Sequence, residues 1–378
     1  MTYNFESIVD RTQSCSLKWD LYRDQDIIPM WVADMDFPAP PEVLEVLQHR
    51  IDHGVLGYTL PLRALTEALI DRLQNQYGWA VEPNWIVWLP GLVVGLNLAC
   101  RAVGASEDEV LVMTPVYPPF LSAPVLSGRQ LRTMPLVQDQ GRYVVDEAAF
   151  RDAITDRTRL LIMCNPHNPV GRAFGKEELK QIARICLEKD VVICSDEIHC
   201  DLILDDIPHT PMATLGPDVA AKTMTLMSPS KTFNLPGLNC AFAIIPDRTI
   251  RRRFEGVKNG IVPNVNTFGY EAAMAAYTRA EPWHLALLDE LRSNRDLVEQ
   301  AIAQSPGLSM NHVEATYLAW IDARELRQKD PKAFFEKAGV GVSNGADFDG
   351  SGFIRLNFGC PEATLKQGLD RMQKAVQS

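Results

Sequence analysis

The chain has 378 residues, 46% of them hydrophobic, which is enough to bury a sizeable core and to fold as more than one lobe. Its 37 Lys and Arg are outnumbered by 48 Asp and Glu and form no basic run, so the net charge of −11 excludes a surface that tracks a polyanion, and nucleic acid is not an expected partner. No stretch approaches the roughly eighteen apolar residues of a membrane span, and MTYNFESIVDRTQ has neither a basic start nor an apolar continuation, so the expectation is a cytoplasmic protein away from membranes.

The first forty or so residues, rich in Pro and acidic groups around positions 34–41, read as an arm that packs on a C-terminal lobe. Beyond them short β-branched runs alternate with longer helical stretches. Strands are expected at 85–88, 110–113, 159–163, 191–194, 223–227 and 241–245, most followed by Pro, Gly, Asn or Ser. That alternation is the pattern of a mostly parallel sheet covered by helices, the α/β class. After Pro282, Leu285, Leu288, Leu291, Leu297, Val298 and Ile302 fall near one helical face, and strands at 317–321 and 353–357 with a closing helix suit a smaller α+β lobe. The expected division is a large domain over 45–281 and a small one built from 1–44 together with 282–378. The eight cysteines form no CxxC pair and read as buried reduced thiols. Cys194 and Cys200 lie close to Asp196 and His199 but lack zinc-like spacing, so no metal is expected.

Three segments, each ending an expected strand, carry the chemistry: NPHNPVG at 165–171, SDE at 195–197 and SPSK at 228–231. Alone, the first reads equally as a turn, the second as a helix cap and the lysine as a solvated side chain. In order they say more, with Asp196 following Asn168 by 28 residues and Lys231 following Asp196 by 35. An acid, an amide, an amine and a phosphate cradle on neighbouring strand ends together specify pyridoxal 5′-phosphate (PLP). Asp196 would pair with the pyridinium nitrogen, Asn168 would donate to the phenolic oxygen, and Lys231 would hold the aldehyde covalently and then act as base. The glycine-bounded helix entry PGLVVG at 90–95 offers the backbone of Leu92 and Val93 to the phosphate, with the hydroxyls of Ser228 and Ser230. Tyr117 in TPVYPPF is placed to stack on the pyridine face, with a core tyrosine as the other reading. Arg355, a charge inside the apolar run GFIRLNF, is the candidate clamp for a substrate carboxylate, with a structural ion pair as the other reading.

With these residues in view, the chain resembles the class I/II aminotransferase superfamily, PLP fold type I, over nearly its whole length. SLKWD at 16–20, WVADMDF at 31–37, Gly57-Tyr58, DEIH at 196–199 and SKTFNLPGLN at 230–239 are closest to the PatB/MalY-type carbon-sulfur lyases, the cystathionine β-lyases. His199 and Asn239 stand where many aminotransferases carry a tyrosine and a phosphate-binding arginine. The resemblance implies a homodimer in which Tyr58 reaches the neighbour's cofactor phosphate. His199 is expected at the cofactor, and Ala33 and Tyr58 at the substrate. It also implies β-elimination from an L-cysteine thioether to thiol, pyruvate and ammonia. An aminotransferase of the same fold, or a PLP-loaded protein that acts by binding a regulatory partner, are the alternatives left open.

Overall fold

In the computed structural model, which describes residues 3–377, seven strands form the central sheet: β1 (Ile86–Leu89), β2 (Glu109–Thr114), β3 (Gln130–Pro135), β4 (Thr158–Cys164), β5 (Val192–Asp196), β6 (Thr223–Met227) and β7 (Ala241–Ile244). Their order across the sheet is β1-β7-β6-β5-β4-β2-β3, and every pairing is parallel except the two that β7 makes. Every residue of β2, β5, β6 and β7 is buried, as expected of strands covered by helices on both faces. Six of the seven lie where β-branched runs predict them. The seventh, β3, escapes prediction because it is an edge strand: QLRTMP pairs on one side only and keeps a polar, mostly solvent-facing composition.

A second, antiparallel sheet of four strands holds β8 (Ser309–Met310), β9 (Leu318–Asp322), β10 (Ser343–Asn344) and β11 (Phe353–Asn357) in the order β8-β9-β11-β10. The N-terminal segment packs on this part of the chain. Ile28 and Pro29 pair in parallel with Val340 and Gly341, Tyr22 donates to Glu336 (2.6 Å), and the Asp36 amide donates to Gly359 O (2.8 Å). One apolar cluster unites Phe5, Met30 and Met35 with Leu291, Val298 and Ile302 of the helix Glu281–Ala303, while two others cover the two faces of the central sheet. Two expectations need correction. Leu285 is exposed, because the buried stripe of that helix runs instead through Trp283, Leu287 and Leu288, one position round. Cys15 is an exposed thiol, lying outside either sheet in the N-terminal arm, while the other seven cysteines are buried. Met1, Thr2 and Ser378, at the ends of the expected small domain, lie outside the described residues. Among the described residues no helix is long and apolar enough to cross a membrane.

Candidate active site

The C-terminal ends of β1, β2, β4, β5 and β6 open into one cavity of about 650 Å³. Open α/β sheets bind ligands there, because the strand ends leave a crevice between diverging connections. Leu92, Val93, Tyr117, Asn168, Asp196, His199, Ser228, Ser230 and Lys231 all line it. Ala33 reaches it from the N-terminal segment and Arg355 from β11. Tyr58 does not: it is fully exposed on the irregular stretch between two helices, beside exposed Val55, Leu56 and Leu60.

Burial sets the protonation of the polar groups. Asp196, the last residue of β5, accepts the Ile198 amide (3.1 Å), yet its burial lifts its pKa to about 7, with the neighbouring Glu197 adding to the rise and Lys231 opposing it. A carboxyl so raised gains from any cationic nitrogen brought against it. Lys231 is pulled down to about 8 by burial and by the positive Arg355, against the pull of Asp34 and Asp196. It therefore has an amine free of its proton at moderately alkaline pH, as a nucleophile requires. His199 is driven down to about 3, first by burial and then by Lys231 and Arg355, so its imidazole is neutral, and its buried Nδ1 has no hydrogen-bond partner among the described residues.

The sequence left Arg355 between an ion pair and a carboxylate clamp, and the geometry separates the two. The side chain is 3% exposed, and its hydrogen bonds go to neutral oxygens: Asn168 Oδ1 (3.0 Å), Trp31 O (2.8 Å) and Ser343 Oγ (3.3 Å). The guanidinium also lies 4.6 Å from the centre of the Phe348 ring. Its buried Nε is unpartnered among the described residues, and burial lowers its pKa to about 10. A buried cation without a counter-ion gains strongly from an incoming carboxylate. The same contact occupies the acceptor end of the Asn168 amide and leaves its NH2 end as the donor.

At the other end of the cavity Gly91 precedes the helix Leu92–Ala102, whose first turn has no side-chain cap, so the backbone NH groups of that turn face an incoming anion unopposed. The helix seats closely on the sheet because a Cβ at Gly95 would stand 3.1 Å from Leu226 and 3.2 Å from Leu89. The two serines are linked to each other: Ser228 Oγ lies within hydrogen-bond reach of Cys240 O (2.7 Å) and of Ser230 Oγ (2.9 Å) and accepts from the Ser230 amide (3.1 Å), so its single proton serves one of these oxygens at a time. An acid, an amide donor, an amine, an unopposed helix start and an orphaned imidazole nitrogen together fit PLP.

Sequence reasoning missed a strap of backbone. Along residues 31–37 successive carbonyls accept from functional side chains: Trp31 O from Arg355, Val32 O from Asn357 (2.6 Å), Ala33 O from Lys231 and from Tyr317 (3.0 Å), and Asp34 O from Lys18 (3.2 Å) and Asn357 (2.7 Å). The Asp36 carboxylate anchors the strap by accepting from Arg11 (2.6 Å), Lys18 (2.7 Å) and Trp19 Nε1 (2.8 Å). Leu17, Leu21, Trp31, Asn344 and Phe348 also line the cavity. Of these only Trp31 falls in the WVADMDF stretch, which names residues whose backbone does the work.

A model of aminotransferase class I and II matches residues 25–372. The chain belongs to the aminotransferase class I and II family. Within the family it is 38% identical to cystathionine beta-lyase PatB of Bacillus subtilis, over 99% of this chain and all of that one. Among solved structures, OvoB superposes with a TM-score of 0.97 at 44% identity, each chain covered in full. Cystalysin of Treponema denticola, a family structure that contains pyridoxal 5′-phosphate, superposes with a TM-score of 0.95 at 33% identity, covering 100% of this chain and 99% of that one. The fold is PLP fold type I, as the sequence led one to expect.

Proposed function

We propose that the chain is a PLP-dependent carbon-sulfur β-lyase of the cystathionine β-lyase type, which converts an L-cysteine thioether and water to a thiol, pyruvate and ammonia. The observation that carries this reading is the meeting in one cavity of Lys231, Asp196 and a buried Arg355 that has no counter-ion among the described residues. Full-length similarity to a protein named a cystathionine beta-lyase supports β-elimination over amino transfer. When bound, the cofactor supplies an electron-withdrawing ring that stabilises negative charge developing at the substrate Cα.

The chain's own residues do the rest. Arg355 grips the α-carboxylate with parallel NH groups and thereby fixes which Cα bond faces Lys231. Lys231 Nζ takes the Cα proton, and sulfur departs from Cβ with the bonding pair. Asp196 would keep the ring nitrogen protonated, Asn168 would donate to the phenolic oxygen, Tyr117 would cover the ring face, and His199 would lie alongside it. The NH groups of Leu92 and Val93, with the hydroxyls of Ser228 and Ser230, would hold the phosphate. The proposed lobes, 45–281 and 1–44 with 282–378, would put the amine on one body and the clamp on the other.

The deciding assay incubates the protein with cystathionine or an S-alkylcysteine and follows pyruvate and thiol with and without a 2-oxo acid. Pyruvate is expected without the oxo acid. Turnover that requires the oxo acid would mean an aminotransferase and end the lyase reading. Tyr58 with Val55, Leu56 and Leu60 makes an exposed apolar arm suited to a second copy of the chain. A homodimer is therefore expected in sedimentation, with Tyr58 directed to the partner's phosphate, and a single-chain mass at working concentration would remove that part of the proposal.

A further inference from the structure

The Ala33 carbonyl receives two donors, the Lys231 amine and the Tyr317 hydroxyl (3.0 Å). A carbonyl oxygen has two lone pairs, so both bonds form at once, and the phenol fixes the plane in which the amine is received. Tyr317 is 1% exposed and lies behind the cavity wall, with its ring edge-on to His199 at 6.1 Å between centroids. Its neighbour is strained. Thr316 is buried and holds φ at 74°, a left-handed conformation that a β-branched residue rarely adopts. The surroundings hold it there: its amide donates to Leu202 O (2.8 Å) and its hydroxyl accepts from the Leu318 amide (3.2 Å). Strain of this kind persists where the placement of a side chain has a use, and the side chain it places is Tyr317.

We propose that Tyr317 is a positioning residue that locks the Ala33 carbonyl as the resting acceptor of the Lys231 amine. Through that lock the N-terminal strap, rather than the turn after β6 that carries the lysine, decides where the amine waits when it is not bonded to cofactor. The carbonyl favours the protonated amine, since an ammonium donates more strongly than an amine. The charged and titratable groups around Lys231 are Asp34 on the strap, Asp196 and His199 at the end of β5, Tyr117 after β2 and Arg355 on β11. Removing the phenol leaves all of these residues in place, although Arg355 and Asp34 also lose their electrostatic contact with it.

The inference rests on Lys231 being the cofactor-bearing amine, and its test reads the contact without asking for turnover. In the full-length cofactor-free chain, labelling of Lys231 by trinitrobenzenesulfonate is followed against pH by peptide mass spectrometry. Tyr317→Phe is expected to lower the labelling midpoint by about one to two pH units, the worth of one hydrogen bond to the charged form. An unchanged labelling midpoint in a folded Tyr317→Phe chain overturns the proposal, whereas Lys231 left unmodified by pyridoxal phosphate and borohydride would overturn the cofactor assignment instead. A second measurement does not depend on that variant folding. In Lys231→Ala, hydrogen exchange of the peptide spanning residues 30–37 should match the parent, because the phenol still holds the carbonyl. Faster exchange there would show the amine to be the anchor and the proposal to be wrong.

Discussion

Replacing Lys231 with alanine is expected to abolish pyruvate release from a cysteine thioether, with a loss of roughly 10²- to 10⁴-fold from the missing proton transfer alone. Loss of the covalent attachment comes on top of that. Among the described residues no other amine lines the cavity except Lys332, which leans toward Glu336 at 3.3 Å. Asp196 and His199 cannot substitute as the covalent partner, since neither is an amine. The measurements are initial rates of pyruvate formation and the visible spectrum after incubation with pyridoxal phosphate. A variant that kept turnover within tenfold of the parent would place the chemistry elsewhere in the molecule.

The second large effect is expected at Arg355. Truncation to alanine removes two charge-assisted hydrogen bonds to the substrate carboxylate, each worth about 1.5–3 kcal/mol, so kcat/KM should fall roughly 10²- to 10⁴-fold. Most of that should appear in KM, because the carboxylate is gripped equally before and during the reaction. Arg355→Lys should recover little, since an ammonium cannot reproduce the planar fork that now reaches Asn168, Trp31 and Ser343 together. The discriminating control is an amine substrate that lacks the carboxylate. The parent should discriminate against it strongly and Arg355→Ala hardly at all, and equal discrimination by both would refute the clamp.

Much of this architecture was legible because strand ends advertise themselves. Asn168, Asp196 and Lys231 each follow a β-branched run, and a fully buried parallel strand cannot carry such residues earlier without orphaning them. Arg355 was legible for a related reason, being a charge set in an apolar run that had to be answered by something. The edge strand Gln130–Pro135 was not, because one-sided pairing leaves no apolar period to detect. Backbone chemistry was not legible either. The carbonyls of Trp31, Val32 and Ala33 act without regard to their side chains, and nothing in the letter Y at 317 says that its hydroxyl meets a residue 284 positions earlier. The one-proton conflict at Ser228 needed the position of Cys240 O, which only the folded chain supplies.

The strap also sets an order of assembly during synthesis. Its hydrogen bonds to Arg355 and Asn357 span 324 and 325 residues, so the first part of the site to leave the ribosome waits for nearly the last. The final strand of the central sheet ends at Ile244, more than a hundred residues sooner. A nascent chain can therefore complete its largest sheet while the carbonyls of Trp31 and Val32 still lack their partners, a non-local closure of the kind that slows folding. A message truncated just before Phe353 would lack Arg355 and Asn357, and with them the partners of the Trp31 and Val32 carbonyls.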